Sequence, residues 1–316
     1  MTEEIKDWTD VTNCPVCGGQ DLVEFITNVP PKIDRPTTPW KLCQGCSHLF
    51  VSPRPTTEWL DAYYKMGYRQ DTHGSEASDK VPAASAREEI GRAMRIAAII
   101  DGFRGTESFR RHLDIGSSTG ALLATAMDKF RIPVSVGVEP NEAWRAFAKD
   151  SFDKYIARKK IEDDGPREMA FHPRIEEAPG VFDLITISHV IEHIPDLDTE
   201  MTIISEKLSA DGVLYIEAPF AFGGISDPMM FPHIHVFTHN SLGLLVENHG
   251  MYVHRLFLEG SSAPFWPPHQ HLIVVATKAP PGFQKSEIMN RYIHGRDAVR
   301  RATEQMKQAK PTYDLG

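Results

Sequence analysis

The stretch Arg111–Gly120, reading RHLDIGSSTG, narrows the fold more than any other part of this 316-residue chain. A short apolar run ends at Asp114, and the small residues Gly116, Ser117, Ser118 and Gly120 lead into a helical pattern over 121–130. A strand, glycine-rich turn and helix in that order bring the backbone N–H groups of a helix start close to a ligand. The acid decides which ligand. A dinucleotide loop reads G-x-G-x-x-G and faces a pyrophosphate. Asp114 would repel that group and suits a cationic amino group instead. The next strand, Val134–Val138, ends at Glu139-Pro140, where an acid can accept from two ribose hydroxyls. Glu139 would serve a nicotinamide dinucleotide equally well, so only the pair Asp114 plus Glu139 discriminates.

The pattern beyond this loop alternates. Strands are expected at Arg111–Ile115, Val134–Val138, Ala170–Arg174, Phe182–Ser188, Gly212–Glu217, Met251–Glu259 and His271–Lys278. Helices are expected over 121–130, 142–152, 198–208 and 238–248. Alternation of this kind implies an α/β fold: a mostly parallel seven-stranded, Rossmann-like sheet with helices on both faces. Upstream, Thr56 caps a short helix carrying Trp59, Leu60, Tyr63 and Tyr64. Residues 67–86 are small and polar and read as a loop or lid. The tail 281–316 reads as one amphipathic helix that packs on its own domain or forms a homodimer contact. The expected organisation is 1–55, 56–105 as a helical linker and lid, 106–280 as the ligand-binding domain, and the tail 281–316.

The chain has four cysteines, all within its first 46 residues. Cys14-Pro-Val-Cys17 and Cys43-Gln-Gly-Cys46 are two C-x2-C knuckles with 25 residues between them. Two such knuckles complete a tetrahedral thiolate shell, so residues 1–55 read as a zinc ribbon. A closed four-thiolate set leaves no open position, which makes the Zn2+ structural. Gly18 and Gly45 are expected to relieve the backbone in the two turns. Residues 1–60 carry eight acidic and five basic side chains, and the whole chain has a net charge of −9. Nucleic acid is therefore a disfavoured partner. No run of 18 apolar residues suggests a membrane span, and the polar N-terminus does not read as a signal peptide, so a cytoplasmic location is expected.

The strings DIGSSTG, GVEP and FDLITISHVIEHIPD resemble the class I methyltransferases that use S-adenosylmethionine (SAM). The leader CPVCG with KLCQGCSHLFVSPRPTTEWLDAYY resembles the zinc-binding leader of bacterial sugar C-methyltransferases and related glycan methyltransferases. The resemblance covers roughly residues 12–280. It implies that Asp114, Gly116, Ser117, Ser118 and Gly120 line the methionine and ribose of SAM. Glu139 would hold the ribose hydroxyls, Pro140 would lie beneath the adenine and Glu176 near it. Ser188 and His189 would face the methionine end.

Methyl transfer to a hydroxyl needs alignment, exclusion of water and removal of a proton. His193 is the first candidate base, since the resembling sugar methyltransferases place an active-site histidine there. His235 is the second and His189 the third. The sugar C-methyltransferases carry Tyr-x-Glu-His where this chain has Pro232-His233-Ile234-His235. The missing tyrosine and glutamate, and the lack of a long C-terminal domain, favour O-methylation of a sugar or glycan over C-methylation. Glu192 is expected to bond neighbouring backbone amides. His233, His235 and His239, or His269 with His271, are alternative ligands for a divalent ion, with Asp227 or Glu217 as the carboxylate. Tyr63, Tyr64 and Tyr68 either pack in their helix or line an acceptor pocket. An rRNA or tRNA methyltransferase and a non-catalytic SAM-fold module are the rival readings.

Overall fold

The computed structural model describes residues 8–25, 39–68, 81, 83–105, 109–158, 167–220, 232–260 and 270–283. Most of the expected lid, nearly all of the expected C-terminal helix, and both Asp227 and His269 lie outside these residues.

The N-terminal part is a set of short strands around the cysteines: β1 (Trp8–Thr9), β2 (Leu22–Phe25), β3 (Trp40–Cys43), β4 (Leu49–Val51) and β5 (Arg54–Pro55). The two knuckles are built alike. Gly18 N donates to the Cys14 carbonyl at 2.9 Å, and Ser47 N donates to the Cys43 carbonyl at 2.8 Å. The residue after each second cysteine takes a left-handed backbone, Gly18 at φ +70° and Ser47 at φ +65°. The turn role expected of Gly45 thus falls to Ser47. α1 (Thr57–Ala62) follows, with the Thr56 side chain accepting from Trp59 N at 3.4 Å, as its sequence implies. It runs into a π-helical turn, Tyr63–Gly67.

α2 (Ala83–Arg104) precedes the main sheet. The sheet strands are β6 (Arg111–Ile115), β7 (Val134–Val138), β8 (Glu168–His172), β9 (Phe182–Ser188) and β10 (Leu208–Pro219), interleaved with α3 (Ala121–Lys129), α4 (Glu142–Arg158) and α5 (Leu197–Lys207). β11 (His235–Val236), α6 (His239–Asn248), β12 (Met251–Gly260) and β13 (Gln270–Lys278) follow in the chain. The order across the seven-stranded sheet is β12-β13-β10-β9-β6-β7-β8. β8, β7, β6, β9 and β10 run parallel, and β13 lies antiparallel to both its neighbours. The fold class expected from the alternation is therefore the one observed. The third strand lies two residues earlier than its pattern suggested, and β10 is longer at both ends.

Both faces of the sheet are buried, which is why β9 and β10 read as near-continuous apolar runs. On one face Leu113, Ile115, Ile185, Ile187, Leu214 and Ile216 pack with Met201 and Ile204 of α5 and Leu242 and Leu245 of α6. On the other, Leu184, Val213, Tyr215, Ile273 and Val275 pack with Ala93, Ile96 and Ile100 of α2 and Leu122 and Ala126 of α3. The first core also takes in Cys14, Val16, Cys43, Cys46 and Phe50, so it runs without a break from the sheet into the ribbon.

Two residues from far along the chain finish the ribbon. β11 pairs antiparallel with β4, His235 opposite Phe50 and Val236 opposite Leu49. Beside them Ile234 is held from both sides: its N–H donates to the Glu192 carbonyl and its carbonyl accepts from Val51 N, each at 3.0 Å. A third core, with Trp40, Leu42, Leu49, Leu60, Ile234 and Val236, fills the space between ribbon, α1 and this strand.

Candidate functional site

The strand order reverses between β6 and β9, and a cavity of about 530 Å3 opens at the ends of these strands. Open α/β sheets gather ligands at such a reversal. One end of the cavity is made by the β6 and β7 tips, the other by the residues after β9 together with Tyr64, Tyr68 and His233.

At the first end Gly116 has φ +75°, and a Cβ there would come within 2.2 Å of Val190 Cγ2. Only glycine fits that turn. Asp114 is buried, and its Oδ1 accepts from Thr186 Oγ1 at 2.6 Å. Burial pushes its carboxyl up to about 7 against that hydrogen bond. A cationic group beside it would reverse the shift. Glu139 is held at the tip of β7 by two backbone amides: Ser118 N donates to its Oε2 at 3.2 Å and Asn141 N to its Oε1 at 3.0 Å. The hydroxyls of Ser117 and Ser188 line the cavity buried and without hydrogen-bond partners among the described residues. Pro140 and Glu176 stand on the wall, Glu176 half-exposed and paired with Arg174 at 3.4 Å.

Gly120 was expected to line the ligand, and the structure corrects this. It caps α3 at φ +76°, where a Cβ would press on Phe171 at 3.3 Å and Ala148 at 3.4 Å. Its role is to let helix and sheet approach. The sequence reading also missed Glu89 of α2. Its carboxylate accepts from Ser118 Oγ at 2.7 Å, from Thr119 N at 3.3 Å and from Thr119 Oγ1. Arg92, one turn on, also lines the cavity. Nothing in the local pattern of α2 marks these two, because only the fold lays that helix across the glycine loop.

The second end is rich in imidazole. His193 is buried, and its Nδ1–H donates to the Pro232 carbonyl at 3.3 Å. Its ring packs against Tyr64 (5.5 Å), Tyr68 (5.8 Å) and His233 (4.9 Å between centroids). Tyr64 and Tyr68 therefore line the cavity, while Tyr63 stacks on Trp59. Burial lowers the His193 pKa to about 4, more than the nearby Glu192 carboxylate restores. Glu192 is 1% exposed, and among the described residues no hydroxyl or amide and no Lys or Arg side chain donates to either of its oxygens. It does not bond backbone amides, as the sequence reading expected. Its neighbours are His189 Nδ1 at 3.5 Å and His193 Nε2 at 3.9 Å. Burial raises Glu192, but these imidazoles with His233 outweigh it and hold the carboxyl at about 2.

His189 stands between two carboxylates, with Nε2 at 3.3 Å from Glu217. Burial lowers its pKa, and Glu192 and Glu217 together more than offset that, so the net shift is upward. Glu217 is fully buried and already satisfied. It pairs with Arg95 at 2.6 Å and accepts from Tyr215 OH at 2.9 Å, and His271 Nδ1 is 3.6 Å away.

His235 does not reach the cavity. Its Nδ1 faces His48 Nε2 at 3.0 Å, and its Nε2 faces the Ile194 carbonyl at 3.0 Å and Arg54 at 3.3 Å. It is fully buried in the seam between ribbon and sheet. A base must reach its substrate, so the structure sets His235 apart from the candidate catalytic groups. His239 packs against Phe220 instead.

The four cysteines converge, all unpaired as disulfides. Cys14 Sγ lies 3.5 Å from Cys46 Sγ and Cys17 Sγ 3.6 Å from Cys43 Sγ, with all four sulfurs within 4.8 Å of one another. Sulfurs about 2.3 Å from a common tetrahedral centre stand about 3.8 Å apart, so the set is compatible with a zinc ribbon.

Asp114, the two orphaned hydroxyls and the glycine turn fit SAM at the first end. Eight carboxylates and three Lys or Arg side chains line the cavity as a whole, which suits a ligand with net positive charge. Among the described residues no helix is long and apolar enough to cross a membrane. No curated protein matches the chain by sequence. Among solved structures, magnesium protoporphyrin IX methyltransferase from Synechocystis PCC 6803 with bound SAH is similar in fold, with a TM-score of 0.51 and 11% identity over 71% of this chain and 100% of that one. The N-methyltransferase NodS from Bradyrhizobium japonicum WM9 is a more distant likeness, with a TM-score of 0.44 and 13% identity over 63% of this chain and 98% of that one. A family model described as a methyltransferase domain matches residues 75–256, more than half of the chain. The chain belongs to that methyltransferase-domain family and is a SAM-dependent methyltransferase.

Proposed function

We propose that the chain transfers the methyl group of SAM to a hydroxyl oxygen of a small-molecule or glycan acceptor, with a sugar as the preferred class. The observation that carries this reading is the two-ended cavity: acidic where the cofactor fits, imidazole- and tyrosine-lined where the acceptor would enter. SAM supplies a methyl group already activated by its sulfonium. Asp114 would hold the amino group, Glu139 the ribose hydroxyls, and Arg92 the carboxylate, while Ser117 and Ser188 would give hydrogen bonds. The ring faces of Tyr64 and Tyr68 suit a carbohydrate, whose C–H surface packs on aromatic rings. The surplus of carboxylates at the cavity disfavours a polyphosphate backbone. Zinc is the ion that suits four thiolates, and it would hold the ribbon against the acceptor end.

His193 is the residue we assign to activation of the acceptor hydroxyl. Its Nδ1–H is committed to the Pro232 carbonyl, so Nε2 presents a lone pair to the cavity. Release of demethylated cofactor, measured across nucleotide sugars, glycans, phenols and RNA, tests the acceptor class. Isotopic methyl on a carbohydrate oxygen is the expected product, and turnover on RNA alone would overturn the reading. His193→Ala should lower turnover at least about 100-fold with SAM affinity kept. His235→Ala should instead lower the melting temperature, since it strips buried partners from His48 and Arg54. Equal turnover in His193→Ala and wild type would remove His193 from the reaction.

A further inference from the structure

Two clusters of imidazole and carboxylate lie side by side at the acceptor end. In one, His189 and His271 surround Glu217; in the other, His193 and His233 accompany Glu192. They differ in how the carboxylate is satisfied. Glu217 has a guanidinium on one oxygen, from Arg95 at 2.6 Å, and a phenol on the other, from Tyr215 at 2.9 Å. Glu192 is as deeply buried, yet among the described residues no arginine or lysine and no hydroxyl or amide donor reaches either oxygen. Its charge partners among the described residues are imidazoles, and the nearer, His189, also faces Glu217. A buried carboxylate left in this state is strongly unfavourable unless a cation joins it.

The geometry points to a divalent first-row metal ion held by Glu192, His193 and His233, open on the cavity side to the acceptor. One ligand atom from each residue lies within 4.8 Å of the others, and His193 Nε2 is 3.9 Å from Glu192 Oε1. Ligands about 2.1 Å from one ion stand about 3–3.5 Å apart, so a small inward shift closes the set. The tautomer is already right. With its Nδ1–H on the Pro232 carbonyl, His193 carries its lone pair on Nε2, as metal-bound histidines do when a carbonyl holds their other nitrogen. Two imidazoles and one carboxylate suit zinc, iron, cobalt or manganese better than magnesium or calcium.

This inference rests on the methyl-transfer reading and specifies how His193 acts in it. His193 acts there as a ligand through Nε2 and not as the proton acceptor. A metal held by Glu192, His193 and His233 would supply Lewis-acid polarisation of the acceptor hydroxyl. The O–H bond breaks, its proton leaves to water at the cavity mouth, and the oxygen lone pair forms the O–CH3 bond. The S–CH3 bonding pair stays on sulfur, which becomes a neutral thioether. No oxidant or reductant takes part.

Titration of the zinc-loaded protein with Co2+, followed by calorimetry and visible absorption, tests the site. With the thiolates filled by zinc, one further equivalent of Co2+ should bind without a thiolate charge-transfer band. Glu192→Gln and His233→Ala should each weaken it about 10- to 100-fold, and His271→Ala should change it less than about threefold. SAM affinity is measured on the same samples. Wild-type protein that binds SAM but no second Co2+ at millimolar concentration overturns the metal site alone. Loss of Co2+ binding in His271→Ala with retention in His233→Ala also overturns it, in favour of the Glu217 cluster. Wild-type protein that binds Co2+ but not SAM overturns the cofactor reading instead.

Discussion

The two ends of the cavity are built by different means. The cofactor end comes from short, contiguous strings at the tips of β6 and β7, and the backbone amides of Ser118 in the glycine turn and of Asn141 hold Glu139 in place. The acceptor end is assembled from segments around residues 64–68, 188–193 and 232–235, and it leans on the ribbon through Ile234 and the His48–His235 contact. The first is rigid because local geometry closes it. The second is rigid only because a distant subdomain buttresses it.

Removing the buttress should separate the two ends most sharply. Cys46→Ser, or chelation of the metal proposed for the four cysteines, is expected to lower turnover at least about 100-fold by misplacing acceptor groups. SAM affinity should change less than about threefold, because no strand of the ribbon pairs with β6 or β7. Calorimetry with SAM beside a turnover assay measures both, and parallel loss of the two would erase the distinction. Gly116→Ala should do the reverse. A Cβ 2.2 Å from Val190 Cγ2 at φ +75° forces the turn open, and SAM affinity should fall about 30- to 100-fold for a strain of about 2–3 kcal/mol. Gly116→Ala with Val190→Ala should regain part of that loss, since the contact is relieved and the backbone strain is not.

The smallest effect is a matter of pH. The Asp114 carboxyl sits near 7 in the folded chain, above its ordinary unfolded value of about 3.9. Between these values the folded state binds the extra proton, so this group makes stability fall as pH rises from about 4 to about 7. A cationic ligand prefers the ionised form, so SAM affinity should rise with pH, by at most about tenfold per unit below 7, and level off above it. Asp114→Asn should bind weakly and flatten both profiles. A wild-type affinity unchanged between pH 5.5 and 7.5, as about two units of the relevant range, would dissociate Asp114 from the ligand.

The same contrast explains what could be read from the sequence. The strands β6, β7, β9 and β10 announced themselves because burial on both faces demands apolar runs, and DIGSSTG and VEP carry their chemistry within a few residues. β11 is two residues long and has no periodicity of its own, so its place in the ribbon sheet was invisible. His235 looked catalytic because a histidine after β10 lies near the site in sequence. It proved to be a buried seam residue because β4, almost 200 positions earlier, covers it. Glu192 was expected to bond neighbouring backbone amides, and only the fold shows it buried beside the imidazoles of His189 and His193. Glu89 and Arg92 sit on a helix whose own pattern records packing and not what it is laid against. Most of the expected lid and nearly all of the expected C-terminal helix lie outside the described residues.

Ile234 is stitched by one peptide group to Val51 and by another to Glu192. Alternation along an extended chain makes a slip of one position turn every neighbouring side chain to the opposite face. The ribbon's edge is therefore a ruler against which His233 is set. Acceptor preference and the N-terminal subdomain should consequently be inherited together. A chimera that imports a foreign ribbon without the matching 232–237 segment would keep its methyl donor and lose its aim, whereas exchange of both pieces at once offers a route to redirecting the enzyme.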